Sequence, residues 1–263
     1  MLLAEIHGKH LADARDNEDY LTSSVFGHLR YIPPGSFWKA FLIRCRSLPH
    51  EGSGITAYAY LSERAGMGIE KYGSLRAIFW PRILKDEPDL MLVFTGPNLP
   101  TLVVCVEAKL NAGKSGQGEQ DQLARYLRAC DSLDRMRPQL PTDAISVVVY
   151  LTTHDSRSEL LDSLFAYGES SSARSRLYGL EWQDVLSAAE ESQSTEKEPS
   201  YQILHDMVSF LRALNLTHFV GMTKHVHFVA CDGRLFAFSP ILSRVDVPSG
   251  LENIQGGWIH ERG

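Results

Sequence analysis

Long apolar runs are missing from this chain. No stretch approaches the roughly 20 apolar residues of a membrane span. The opening residues, MLLAEIHGKHLADARDNED, lack the apolar centre of a secretion signal. The sequence therefore points to a cytoplasmic protein without membrane contact. Cysteine is scarce: Cys45, Cys105, Cys130 and Cys231 are spread out, with no CxxC pair. A disulfide scaffold or a zinc ribbon has no support, and a reducing setting is natural. No G-x-S-x-G elbow occurs, so a serine hydrolase has none either. Excess positive charge is also absent, since 26 basic and 32 acidic side chains give a net charge of -6. That rules out a histone-like polycation but leaves room for a local basic groove. Six acids and one base between Glu181 and Glu198 carry most of the imbalance.

What is present is enough for one sizeable core: 263 residues, 44% of them apolar. Apolar spacing predicts helices over Asp16 to Tyr31, Phe37 to Cys45, Glu119 to Leu133, Ser158 to Tyr167, from Gln183 onward, and Tyr201 to Leu214. Strands are expected at Asp89 to Thr95, Thr101 to Glu107, Ile145 to Thr152 and Leu177 to Trp182. Ile55 to Leu61 (ITAYAYL) also reads as a strand. The first strong pair flanks Gly96-Pro97-Asn98 and forms a hairpin. Its second strand is apolar almost throughout, so it belongs in the middle of the sheet, with Cys105 a buried thiol. His225 to Cys231 and Arg234 to Ser239 form a second hairpin around Asp232-Gly233. The result is mixed α/β: a core domain over 1–191, the linker SQSTEKEP, and a helix-plus-hairpin extension over 199–263 packed on the core.

The chemistry concentrates between Glu87 and Tyr126. Pro88 precedes Asp89 at the start of one strand, and Glu107 and Lys109 close the next. Side chains two apart on a strand share a face, so Glu107 and Lys109 point the same way. The hairpin brings Asp89 beside Glu107. Two close carboxylates raise each other's pKa unless a cation compensates. Mg²⁺ (or Mn²⁺) suits such a pair, because it takes one or two carboxylates, keeps waters and accepts a phosphate oxygen.

Pro88-Asp89 followed by Glu107-Ala108-Lys109 resembles the PD-(D/E)XK nuclease superfamily, with its restriction-endonuclease-like fold. Gln122 and Tyr126 in DQLARY resemble the QxxxY motif of its exonuclease-like branch. Glu18 resembles the helical acid that helps hold metal there, and NEDYLTSSVFGHLRYIPP looks like the opening of uncharacterised bacterial members. The resemblance runs from Glu18 to Tyr126, with Ile145 to Thr152 as the next core strand. It implies a metal-dependent deoxyribonuclease in bacterial defence or DNA processing. Asp89, Glu107 and Glu18 would be the metal ligands. Lys109 would activate or orient water, and Gln122 would orient Lys109 or substrate.

Other features compete. AKLNAGKS, Ala108 to Ser115, fits a relaxed phosphate-binding P-loop with Lys114 as its lysine. Gly116 and Gly118 break the helix such a loop needs, and no acid directly ends the strand at Ile145. Lys114, Arg125 and Tyr126 are the candidate nucleic-acid contacts, with Arg76, Arg82 and Lys85 ahead of the Pro-Asp strand. Tyr72 and Trp80 are candidates for base stacking, with core packing the preferred role for Trp80. His225 and His227 share a strand face, and His7 and His10 a helix; both pairs read as surface histidines. Glu5 competes with Glu18 for the acid role. The region after Ser192 could dock a second copy or a protein partner. A catalytically silent nucleic-acid-binding or assembly module is the second class of function.

Overall fold

A computed structural model describes residues 17–48, 54–83, 85–110, 112–131, 144–168, 171–217, 227–231 and 234–238. The chain divides into two compact units, Met1–Thr217 and His218–Gly263.

The first unit opens with helix α1 (Glu18–Leu29). Asn17 caps it by accepting the Tyr20 N–H at 2.9 Å, and Glu18 and Asp19 occupy its first turn. Both acids suit the positive end of the helix. Leu21, Val25, Phe26 and Leu29 are fully buried, as their spacing requires. A kinked turn over Pro34–Trp38, with Ser36 out of helical geometry (φ -101°, ψ -112°), leads into α2 (Lys39–Arg44).

The segment expected as a strand near Ile55 is instead the start of helix α3 (Ala57–Ala65). The alternating aromatics suggested period two. The buried residues are Ala57 and Leu61, four apart, which is the helical period. Thr56 caps the helix by accepting the Ala59 N–H at 3.1 Å, and Gly66, with φ of 73°, ends it in the left-handed conformation.

The sheet has five strands in the order β1 (Ser74–Phe79), β2 (Leu90–Thr95), β3 (Leu102–Ala108), β4 (Ile145–Thr152) and β5 (Leu177–Glu181). The pairs β1–β2 and β2–β3 are antiparallel, while β3–β4 and β4–β5 are parallel. The expected α/β class and mixed sheet are therefore correct. All seven residues of β3 are buried, and it lies in the centre, as its apolar run implied. Strand β1 had no counterpart in the sequence reading. It is an edge strand without a fully buried residue, so its pattern is weak.

Helices cover both faces. Against one lie α1, α2, α7 (Trp182–Gln193) and α8 (Ser200–Ala213), around Phe26, Trp38, Phe94 and Trp182. The ring of Phe26 is 6.2 Å from Trp38 and 6.0 Å from Trp182, which locks α1 to the core. Helix α8 belongs to this unit, with Leu204, Met207, Phe210 and Leu211 in the same buried cluster. The other face carries α4 (Gln122–Cys130) and α5 (Arg157–Tyr167), packed on Met91, Val103, Cys105 and Val148. A short α6 (Ser171–Arg174) precedes β5. Among the described residues, no helix is long and apolar enough to cross a membrane.

In the second unit, β6 (His227–Cys231) and β7 (Arg234–Phe238) pair antiparallel from His227↔Phe238 to Cys231↔Arg234. This is the expected second hairpin. Glu5, His7, His10, His225 and the chain after Phe238 lie outside the described residues, as does the side chain of His227.

The cap on α3 gives a direct check. Thr56→Ala is expected to destabilise the protein by about 1 kcal/mol, the usual worth of such a cap. Denaturant unfolding measures it, and no loss would mean the segment is not held as this helix.

Candidate active site

Strands β3, β4 and β5 run parallel, so their carboxyl ends share one edge of the sheet, and antiparallel β2 begins there. Open α/β sheets place ligands outside such an edge. Asp89 immediately precedes β2, and Glu107 lies at the end of β3. With Leu90 paired to Val106, Asp89 stands across from Glu107. Asp89 Oδ2 accepts the Ala108 N–H at 2.7 Å. The hairpin therefore brings the two carboxylates together as the sequence suggested.

Lys109 completes the group. Its Nζ lies 2.7 Å from Glu107 Oε1 and 2.8 Å from Glu18 Oε1. The other Glu18 oxygen accepts the Leu110 N–H at 3.1 Å. Glu18 thus reaches from the start of α1 to hold both the ammonium and the backbone that follows it. The backbone of Lys109 is fixed as well: its N–H donates to Leu151 O at 2.7 Å, and its carbonyl accepts the Trp182 indole at 3.3 Å.

Helix α4 supplies the remaining contacts. Gln122 Nε2 donates to Glu107 Oε1 at 2.7 Å and to the Tyr126 hydroxyl at 3.0 Å. That hydroxyl donates to Glu107 Oε2 at 2.8 Å. The four-residue spacing of Gln122 and Tyr126 puts both on one helix face, and this face meets Glu107. Gln122 orients the Glu107 carboxylate, in place of the Lys109 or substrate contact that the resemblance implies. Tyr126 is buried and tied to Glu107, which removes it as a nucleic-acid contact.

The electrostatics follow from burial. Asp89 is pushed up to about 7, first by burial and then by the charge of Glu107. Burial likewise raises Glu107, against the lowering effect of Lys109. Burial works against the Lys109 ammonium, but Glu107 and Glu18 outweigh it and hold the ammonium charged. Burial and then the Glu107 charge push the Tyr126 hydroxyl well up, so it stays a donor. Among the described residues, no group of three or more His, Cys, Asp or Glu side chains is arranged as a metal cluster.

The glycine-rich loop folds back on α4. Ser115 gives both its N–H and its hydroxyl to Gln122 Oε1, at 3.2 and 3.1 Å. Gly116 has φ of 76°, and a Cβ there would fall 2.0 Å from Gln120 O, so only glycine fits this return. Only a single 3-10 turn, Gly118–Gln120, follows Ser115 in the loop; the next α-helix begins at Gln122, capped by Asp121. A P-loop needs its lysine and serine to open a helix around phosphate. Here the Lys114 side chain is 8% exposed and its ammonium is ion-paired to Asp121, which fastens the loop to the start of α4. Glu159 fastens the loop from α5: its Oε1 accepts the Lys114 N–H at 3.0 Å and the Tyr150 hydroxyl at 3.1 Å.

The connection from β1 to β2 forms the other wall. Ile83 and Asp86 exchange backbone hydrogen bonds at 2.8 and 3.0 Å, and Ile83 is buried against α4. Arg125 donates to Asp86 Oδ1 at 2.7 Å, and Tyr126 Oη lies 3.2 Å from Glu87 O. Arg125 therefore anchors this connection. Tyr72 is buried with its hydroxyl on Pro100 O at 2.9 Å, so base stacking is closed to it. Trp80, expected in the core, is 41% exposed. The sequence FWPR gave no sign of its left-handed backbone, φ 47°. Asp121 could have been found as a helix cap ahead of QLARY; Glu159 and Asp19 carry no local signal.

A carboxylate raised in the folded state binds its proton more tightly than the unfolded chain does. An unfolded aspartate titrates near about 3.9, so Asp89 lowers stability as pH climbs from there to about 7. Asp89→Asn keeps an acceptor for the Ala108 N–H and removes the charge. In chelator-treated buffer it is expected to melt several degrees above the wild type at pH 8, with the gap closing below about pH 4. A variant no more stable at pH 8 would contradict this electrostatic picture.

Compared with protein-family models, curated proteins and solved structures, the chain matches none.

Proposed function

We propose that this chain is a divalent-metal-dependent nuclease of the PD-(D/E)XK kind, hydrolysing phosphodiester bonds in DNA. One observation carries the proposal. Asp89, Glu107 and Lys109 converge at the edge of the sheet where three parallel strands end, with Glu18 on the lysine and Gln122 and Tyr126 on the glutamate.

The residues fit a Mg²⁺ or Mn²⁺ ion. Asp89 and Glu107 are acceptors held side by side, and the raised pKa of Asp89 marks a carboxylate short of positive charge. Mg²⁺ needs only one or two carboxylates and fills its shell with water and phosphate oxygens. Asp89 and Glu107 would hold it. Glu18, with an oxygen on Lys109 and another on Leu110 N–H, acts through the lysine. When bound, such an ion neutralises phosphate charge and makes water a better nucleophile.

The chain's own groups do the rest. Lys109 is held charged with two carboxylate partners, so its third N–H is the donor it offers to the attacking water or to a phosphate oxygen gaining negative charge. Its two carboxylate partners fix where that ammonium stands, which is what positioning catalysis requires. Gln122 and Tyr126 keep both Glu107 oxygens oriented in a buried setting where rotation would leave a charge unpaired.

The test is cleavage of linear and circular DNA with Mg²⁺ or Mn²⁺, with and without chelator. Wild type is expected to cut only with metal. Asp89→Ala should abolish cutting, and Lys109→Ala should slow it by at least about 10²-fold. Absence of any cutting by the wild type, or cutting unaffected by both substitutions, would overturn the proposal. Metal-independent binding without cutting would favour a binding module on this fold.

A further inference from the structure

Of the described tryptophans, Trp38 and Trp182 are fully buried, while Trp80 is 41% exposed. Its backbone has φ of 47°, a region that a bulky side chain rarely enters. Strained residues of this sort persist only where the surroundings hold them, and they gather at ligand sites. Here two bonds hold the residue. The Trp80 N–H donates to the carbonyl of Asp89 at 3.1 Å, and the indole Nε1 donates to Asp19 Oδ1 at 3.3 Å. Asp89 is half of the carboxylate pair, and Asp19 follows Glu18, which holds Lys109. The residue is thus tied by its backbone to Asp89 and by its indole N–H to Asp19, with much of the ring in solvent. Arg82 and Lys85, both exposed, lie on the same connection, with Arg82 in a solvent-exposed ion pair to Glu87 at 3.3 Å that solvent weakens.

We propose that Trp80 is a stacking platform for an unpaired nucleobase next to the phosphate handled by Asp89, Glu107 and Lys109. The inference rests on the nuclease reading and narrows its substrate to strands with an unpaired base at the cut: a single strand or a frayed end. Every base presents a π-face, so an exposed indole selects for unpaired character more than for sequence. Arg82 and Lys85 supply charge for the flanking phosphates. The bond to Asp19 fixes the ring plane before substrate arrives, which lowers the entropy lost on stacking.

The experiment compares wild type, Trp80→Ala and Trp80→Phe. Binding of a short fluorescein-labelled single-stranded oligodeoxynucleotide and of a blunt duplex is read by anisotropy, with Ca²⁺ in place of Mg²⁺. Cleavage of both is then read with Mg²⁺ or Mn²⁺. The wild type should prefer the single strand, and the oligonucleotide should quench its tryptophan fluorescence. Trp80→Ala should weaken single-strand binding about 10-fold and lose the preference. Trp80→Phe keeps a ring but lacks the indole N–H; it should stay within about threefold of wild type and lose the quenching.

Trp80→Ala binding and cutting single strands like wild type would remove the platform and leave the nuclease intact. Trp80→Phe as weak as Trp80→Ala would assign the effect to the Asp19 bond and overturn stacking. Absence of quenching in the wild type would do the same, even if Trp80→Ala fails to fold. A wild type that cuts neither form with Mg²⁺ or Mn²⁺ would overturn the nuclease reading itself.

Discussion

The site depends on one ammonium placed between two carboxylates. Glu107 is 2% exposed, and a charge so buried needs a partner at close range. Lys109 supplies it at 2.7 Å, and Glu18 holds Lys109 from the other side at 2.8 Å. This three-group chain joins the central strand β3 to the first helix of the described chain. It leaves Asp89 undercompensated, since burial and the negative charge of Glu107 both oppose its ionisation. Three carboxylates face one ammonium, so the arrangement has capacity for more positive charge. That imbalance is what makes the pair a cation site in our proposal.

The surrounding elements are arranged to keep this cluster still. Helix α1 is locked by Phe26 against Trp38 and Trp182, so Glu18 has a fixed origin. Helix α4 is tied to the glycine-rich loop through Ser115 and Gln122, and to the β1–β2 connection through Arg125. Residues that resemble nucleic-acid contacts by charge, Lys114 and Arg125, are consumed in these fastenings. The exposed groups on the wall beside Asp89 are Trp80, Lys85 and the Arg82–Glu87 ion pair, and our proposal places substrate contact there.

Much of this was legible in the sequence, for stated physical reasons. Apolar runs marked β2, β3 and β4, and the turn at Gly96-Pro97-Asn98 set β2 and β3 as a hairpin, so the meeting of Asp89 with Glu107 followed from register alone. The spacing of Gln122 and Tyr126 gave a common helix face. The segment at Ile55 failed because alternating aromatics mimic a strand when the buried pair, Ala57 and Leu61, consists of a small and a medium residue. Strand β1 is half-exposed at the sheet edge, so little hydrophobic pattern marks it. The fate of Lys114 was illegible because its partner Asp121 is set by the fold of a glycine loop, and the exposure of Trp80 because it follows from a left-handed backbone.

The central claim is that Asp89 and Glu107 together attract a divalent cation. Binding of Mn²⁺ to the purified protein, followed by electron paramagnetic resonance at pH 8 and displaced by Mg²⁺, tests it without any assumption about substrate. The account predicts a saturable site in the wild type that is lost in Asp89→Asn while the variant remains folded. A wild type that binds neither ion, or an Asp89→Asn variant that binds Mn²⁺ as well as the wild type does, would contradict it.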